Sequence, residues 1–223
     1  MAQHSRSTKE SDAAGFVLAG GRSSRMGRDK ALLEFAGRPL IEHAIAILRA
    51  AGLPVCIAGA RSPNLTEFAP VVEDDRADLG PLAGICAGLE STSAKLAVFL
   101  PVDLPLLPAS LVDWLLEHAR MTGSAVTVPA VNGFAETFPV VLDRAVQPIL
   151  KAELEAGRKG CFSAFEAAAS ALDRPMSRIA VELAAQCGHI RHPLDLPPFR
   201  WFLNLNDKAD LARAEALPAR HIA

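Results

Sequence analysis

The sequence predicts an α/β fold, with a mostly parallel sheet flanked by helices on both faces. Three observations predict it. Short, wholly apolar runs such as residues 15–19 and 96–100 suit strands buried on both sides. Longer segments with apolar residues at helical spacing separate those runs. Gly and Pro punctuate the boundaries between the two kinds of segment.

Residues 15–19 read as a buried first strand, and a glycine- and arginine-rich stretch, 20–30, follows. Pro39 opens a helix in which Leu40, Ile41, Ala44, Ile45 and Leu48 share one face, and Gly52 closes it. Residues 54–58 read as a second strand and 70–72 as a short third one. Gly80-Pro81 begins another helix, because Pro at the first helical position loses no internal hydrogen bond. Its apolar residues Leu82, Ile85, Cys86 and Leu89 recur at helical spacing. Residues 96–100 are the clearest strand and run into Pro101-Val102-Asp103-Leu104-Pro105. Pro108 starts a helix to about Arg120, and 124–128 and 138–142 are further strands. Residues 143–156 and 161–172 read as helices. The stretch 173–199 is irregular and rich in proline. Residues 200–203 read as a last strand before a terminal helix from about Asp207. No repeat or low-complexity linker divides the chain, so one domain is expected over 14–223, after a flexible polar leader at 1–13.

Bulk properties narrow the function. The 223 residues are half hydrophobic and 22% charged, a globular composition. The formal charge of −2 gives no basic excess, so nucleic acid is not expected as a partner. No run approaches the ~20 apolar residues of a membrane helix, and residues 1–13 lack the apolar segment of a signal peptide. Cys56, Cys86, Cys161 and Cys187 show no zinc-type spacing and read as reduced thiols of a cytoplasmic protein. The six His residues form no metal spacing; His43 and His118 lie within helices. Trp114 and Trp201 read as core. Ser23 and Ser24 have no neighbouring His base, which argues against a serine nucleophile.

The informative segment is Leu18-Ala-Gly-Gly-Arg-Ser-Ser-Arg-Met-Gly-Arg-Asp-Lys30. It follows a buried strand, and open α/β sheets bind ligands at the C-terminal ends of their strands. Gly20, Gly21 and Gly27 let the backbone come close to a ligand, and free N–H groups in such a loop can cradle phosphate oxygens. Arg22, Arg25, Arg28 and Lys30 add four cations within nine residues. The spacing is neither G-x-x-x-x-G-K-[ST] nor G-x-G-x-x-G, which argues against a dinucleotide oxidoreductase. A solvated basic turn is the plain alternative. Asp103, after the apolar strand 96–100, stands where a carboxylate can hold Mg2+ beside phosphates, or can act simply as a turn or cap residue. Asn204 and Asn206 alternate with Leu203 and Leu205 and share a side if extended, or form a turn ahead of the last helix.

These segments together resemble the molybdenum cofactor guanylyltransferase family, within the Rossmann-like nucleotidyltransferases. The opening L-A-G-G-x-S-x-R-M-G-x-D-K pattern is met from Leu18 to Lys30, and Leu32-Leu-Glu-Phe-Ala-Gly-Arg-Pro39 continues it. Asp78-Leu-Gly-Pro-Leu-Ala-Gly84, Pro101-Val-Asp-Leu-Pro105 and Phe202-Leu-Asn-Leu-Asn206 resemble its later landmarks. The resemblance implies GMP transfer from GTP to the phosphate of molybdopterin, dependent on Mg2+, with transient contact to apoproteins of molybdoenzymes or to proteins that handle the cofactor. It assigns nucleotide binding to Leu18, Ala19, Gly20, Gly21, Lys30, Asp74 and Asp103. Arg25, Lys30 and Asp103 take catalytic roles, Asp103 holds the metal, and Asn204 and Asn206 contact acceptor or metal. The Gly20-Gly21 pair resembles the guanylyl rather than the cytidylyl version; cytidylyl transfer to the same pterin, transfer to another phosphorylated acceptor, or a nucleotide-binding module without turnover stay the alternatives, and the presence of both Asp103 and Lys30 argues against the last. Ala58 stands where the family often has Asn, and 173–198 is longer than usual.

Overall fold

The computed structural model describes residues 12–20, 29–60, 63–72, 74, 79–205, 210, 212 and 214. Its centre is a seven-stranded sheet with the neighbour order β4-β1-β5-β8-β6-β7 and with β9 also paired to β6. β1 (Ala13–Leu18) is flanked by β4 (Val55–Ala58) and β5 (Leu96–Pro101), all parallel. β8 (Val140–Asp143) runs antiparallel between β5 and β6 (Val126–Val131). β9 (Met176–Ala180) pairs in parallel along β6, and β7 (Phe134–Ala135) forms a short hairpin with its end. A separate two-stranded ribbon, β2 (Glu34–Phe35) and β3 (Arg38–Pro39), precedes the first helix.

The two-sided burial of the central strands follows from their sequences. In β1, Ala13 and Val17 join one core, whereas Ala14, Phe16 and Leu18 join the other. In β5, Leu96, Val98 and Leu100 face the first core and Ala97 and Phe99 the second. The alternation is the two-residue period of a strand, with apolar side chains on both faces. The first core is covered by α1 (Leu40–Ala50), α3 (Ala109–Thr122) and α6 (Val181–Gln186). The second is covered by α2 (Pro81–Glu90), α4 (Gln147–Glu155) and α5 (Cys161–Ala171). On the sheet face that lines the second core, the neighbouring Phe16 and Phe99 rings stack with centroids 5.1 Å apart.

Most expected elements lie within a residue or two of their predicted places. α1 buries Leu40, Ile41, Ala44, Ile45 and Leu48, as its spacing requires, and α2 starts on Pro81. β1 begins at Ala13, the last position assigned to the leader. Residues 70–72 form an isolated bridge to β4 and not a strand. Ile57 donates to the Pro70 carbonyl and Val72 donates to that of Ile57, both at 2.8 Å, and pairing goes no further among the described residues. Residues 200–203 do not extend. Pro198 stands in the first turn of a short helix, α7 (Pro198–Trp201), and buried Trp201 ties it down by donating Nε1–H to the Leu196 carbonyl at 2.6 Å. The irregular stretch 173–199 holds β9 and α6. β9 buries only Ile179, so composition gave little sign of a strand. Asp210, Ala212 and Ala214 are helical, as expected near the C-terminus. Among the described residues no helix is long and apolar enough to cross a membrane.

Candidate active site

β1 and β5 are adjacent and parallel, so the segments leaving Leu18 and Pro101 emerge side by side at one sheet edge. Asp103 lies two residues beyond β5. Lys30 returns to the same place through a one-turn 3-10 helix, Lys30–Leu32. The Asp29 side chain caps that turn by accepting from the Ala31 amide at 3.0 Å. The outcome is a contact between residues 73 positions apart: Lys30 Nζ donates to Asp103 Oδ2 at 2.8 Å. Both side chains are about one-fifth exposed, so the pair is screened from bulk water yet reachable by a ligand.

The loop after β1 is shaped by close backbone approach. Ala19 N–H donates to the Ala58 carbonyl at 3.1 Å, which continues the parallel pairing past the strand ends. A Cβ on Gly20 would stand 2.3 Å from the Gly59 carbonyl oxygen, so only glycine fits without moving backbone. Gly84, in α2, approaches the backbone of Gly59 in turn. Glycine at position 20 therefore has a packing reason besides any approach to a phosphate. Ala58, where a family Asn is often found, is fully buried.

Asp74 follows the bridge that runs parallel to β4, which carries it to the same sheet edge; one of its carboxylate oxygens is buried. Leu205 N–H donates to the Asp103 carbonyl at 3.0 Å and thereby draws Asn204, which is exposed, beside the Asp103 segment. Leu18, Ala19, Gly20, Lys30, Asp74, Asp103 and Asn204 thus lie along one edge. Gly21, Arg25 and Asn206 lie outside the described residues.

His43 is a structural residue: its Nε2 donates to the Phe35 carbonyl at 2.8 Å and holds the β2–β3 ribbon on α1. Trp201 is core, and Trp114 is partly buried with its ring stacked 3.9 Å from that of His189. Two contributors escaped sequence reasoning. Asp29 is one, and its position just before a helical turn was the available sign. The other is the stretch 189–205, whose cross-ties to the Asp103 segment leave no local pattern. The donor set suits Mg2+. Among the described residues no three His, Cys, Asp or Glu side chains gather into a metal cage. Mg2+ commonly takes one or two carboxylates and completes its shell with phosphate oxygens and water, a demand that a single partly exposed carboxylate such as Asp103 can meet.

The fold is shared with known proteins. A family model described as the MobA-like NTP transferase domain matches residues 15–178. A molybdenum cofactor guanylyltransferase of Xanthomonas euvesicatoria is 48% identical over 107 residues, covering 48% of this chain and 54% of the relative. Relatives of the same name from Shewanella amazonensis and Serratia proteamaculans are 33% and 36% identical over 147 and 152 residues. The alignments cover 64% and 65% of this chain and 75% of each relative. The solved structure of molybdopterin-guanine dinucleotide biosynthesis protein A from Archaeoglobus fulgidus superimposes with a TM-score of 0.71 at 20% identity, over 91% of this chain and 96% of that one. 2-C-methyl-D-erythritol 4-phosphate cytidylyltransferase from Thermus thermophilus superimposes with a TM-score of 0.61 at 20% identity, covering 90% and 96%. The chain belongs to the MobA-like NTP transferase domain family of nucleotidyltransferases.

Proposed function

We propose that the protein transfers GMP from GTP to the phosphate of molybdopterin, releasing pyrophosphate and forming the guanine dinucleotide form of the cofactor. The Lys30–Asp103 contact carries this reading: it pairs a cation and a carboxylate at the edge where the glycine-rich loop begins. The names of the relatives supply the base and the acceptor.

The acceptor phosphate is already ionised and needs little base activation. One of its oxygens bonds to the α-phosphorus of GTP while the bond from that phosphorus to the bridging oxygen breaks, and pyrophosphate takes the electron pair. The difficulty is bringing two anions together, so positioning and charge neutralisation dominate. Asp103 would hold Mg2+, which supplies charge neutralisation across the triphosphate oxygens. Lys30, pre-set by the Asp29 cap, neutralises charge developing on the departing pyrophosphate, and Arg25 adds to it. Backbone groups from Leu18 to Gly21 read the base. Asp74 and Asn204 border the nucleotide and the acceptor.

The test is pyrophosphate release with GTP, CTP and ATP, each with Mg2+ and molybdopterin. GTP is expected to support release far better than the others. A preference for CTP would replace guanylyl by cytidylyl transfer. Thermal unfolding gives an independent reading: GTP at a hundred times its dissociation constant stabilises the fold by about 2.7 kcal/mol.

A further inference from the structure

The stretch 189–205 grips the segment that follows Asp103 at four points. Leu205 N–H donates to the Asp103 carbonyl at 3.0 Å. His192 Nε2–H donates to the Leu106 carbonyl at 3.0 Å. Ser110 Oγ donates to the Arg191 carbonyl at 2.9 Å and accepts from the Arg191 amide at 3.1 Å. The His189 ring covers that of Trp114. The segment needs such ties, because beyond Pro105 it borders an apolar cleft of about 600 Å3 lined by Phe35, Ile47, Leu106, Leu107, Leu194 and Leu196.

His192 is the only one of these grips made by a buried polar side chain with both of its polar atoms engaged. Nδ1 accepts from the Leu194 amide at 3.0 Å while Nε2 faces a carbonyl, which can only accept. The two bonds together require one form of the ring, neutral with its proton on Nε2. The ring also stacks on Trp201, centroids 5.9 Å apart. Trp201 in turn is bonded to Leu196, so the imidazole sits in a rigid socket.

We infer that His192 is a positioning residue for nucleotidyl transfer: as a neutral imidazole, it clamps the Leu106 backbone and fixes where Asp103 presents its carboxylate. The inference rests on the reading of Asp103 given above. It also assigns a role to the long stretch before the C-terminus, as a brace behind the catalytic edge.

The experiment compares His192→Phe, His192→Gln and Ser110→Ala with the parent chain, and carries Asp103→Asn as reference. Turnover is measured per folded molecule, well below each melting point. His192→Phe keeps a ring against Trp201 and loses both hydrogen bonds. It is expected to lower kcat about tenfold, because small misplacements of reacting groups are costly, while KM for GTP changes less than about twofold. His192→Gln can still donate to the Leu106 carbonyl and is expected to recover part of the loss. Ser110→Ala loosens the same brace more gently and keeps the test alive if His192→Phe does not fold; a loss of about threefold in kcat is expected. A folded His192→Phe with normal kcat, a loss confined to KM, or a Gln variant no better than Phe overturns the inference. If Asp103→Asn is also fully active, the failure lies with the reading of Asp103. If Asp103→Asn is inactive and the His192 variants are not, the clamp alone is wrong.

Discussion

The parallel half of the sheet and the mixed half each hold a close ion pair, and the two pairs are built differently. Lys30–Asp103, beyond β1 and β5, joins two side chains at a strand edge. Arg174–Asp143, at 2.7 Å beside β8, is woven into the backbone. Arg174 also donates to the Gly123 and Ser124 carbonyls, and Asp143 accepts from the Ala145 amide. In the first pair both side chains keep about one-fifth of their surface exposed. The second is committed to holding α3, β6 and β8 to the turn before β9. Charge tied to several backbone groups serves the fold, whereas the proposed chemistry rests on the partly exposed pair at the strand edge.

The sharpest way to break this comparison is Asp103→Asn. The substitution keeps the shape and removes the charge that Mg2+ prefers. Turnover is expected to fall about a hundredfold or more, at ~1.4 kcal/mol per factor of ten, while stability changes by about 1 kcal/mol at most, as for partly exposed pairs. Steady-state kinetics across a Mg2+ titration, with unfolding curves on the same variant, read both quantities. Near-normal turnover at low Mg2+ would mean that Asp103 is only a turn residue.

Lys30→Ala comes next. If Lys30 neutralises the departing pyrophosphate as proposed, a loss of about tenfold or more in turnover is expected. Lys30→Arg should not restore it fully, because a planar guanidinium differs in shape and hydration from an ammonium. Full activity in the Ala variant would reduce Lys30 to part of a solvated face.

On the other half the pattern should reverse. Arg174→Met strips Asp143 of its charged donor and two carbonyls of theirs. A stability loss of about 1.5–3 kcal/mol is expected, the range for hydrogen bonds to charged groups, with turnover per folded molecule near normal. The loss has a pH signature. Burial pushes the Asp143 carboxyl up, but the Arg174 bond and charge and the Ala145 amide outweigh it and hold the group below its ordinary value. A carboxyl lowered in the folded state contributes stability above its unfolded pKa, about 3.9, and loses that contribution as pH falls through the folded value. The gap between parent and variant is therefore full at pH 7 and narrows at strongly acid pH. A gap that widened on acidification would contradict the assignment.

The same contrast governs what could be read in advance. The parallel half was legible because its evidence is local: apolar runs at 96–100, Pro81 at a helix start, and glycines and cations packed into residues 18–30. Local periodicity also placed Asp103 and Lys30 at one edge, since both follow strands apolar enough to be central. The 2.8 Å contact between them, by contrast, needed the adjacency of β1 and β5. The mixed half left weaker traces. β9 is an edge strand with one buried residue, and the Arg174–Asp143 and His192–Leu106 ties span 31 and 86 positions with no pattern between them. Residues 200–203 misled for a different reason. Read as a last strand, they instead follow a helical turn that Pro198 opens and buried Trp201 anchors.

The cysteines offer the gentlest probe, because both halves contain them and neither is expected to use them. All four are free thiols. Cys86 and Cys161 are buried residues of α2 and α5, Cys56 is half-buried in β4, and Cys187 is exposed. The thiolate is the reactive species, so burial should silence a cysteine twice, by blocking access and by raising its pKa. For Cys161, desolvation and the neighbouring Cys86 push the thiol up to about 12; burial also raises Cys56. At pH 8 a thiol of that pKa is ionised in only about one molecule in ten thousand. Alkylation of the native protein by iodoacetamide should therefore modify Cys187 first and leave Cys161 unlabelled until the chain unfolds. Because none of the four lies at the Lys30–Asp103 edge, full labelling of Cys187 should leave turnover unchanged. Replacing all four by Ser or Ala should keep turnover per folded molecule within a few-fold. The cost should appear as stability instead, chiefly from Cys86 and Cys161, whose apolar surroundings would have to accept a hydroxyl or a small void. Mass spectrometry of labelled peptides against time gives the order of reaction. Rapid labelling of Cys161 in folded protein would show that the second core opens far more readily than its packing implies.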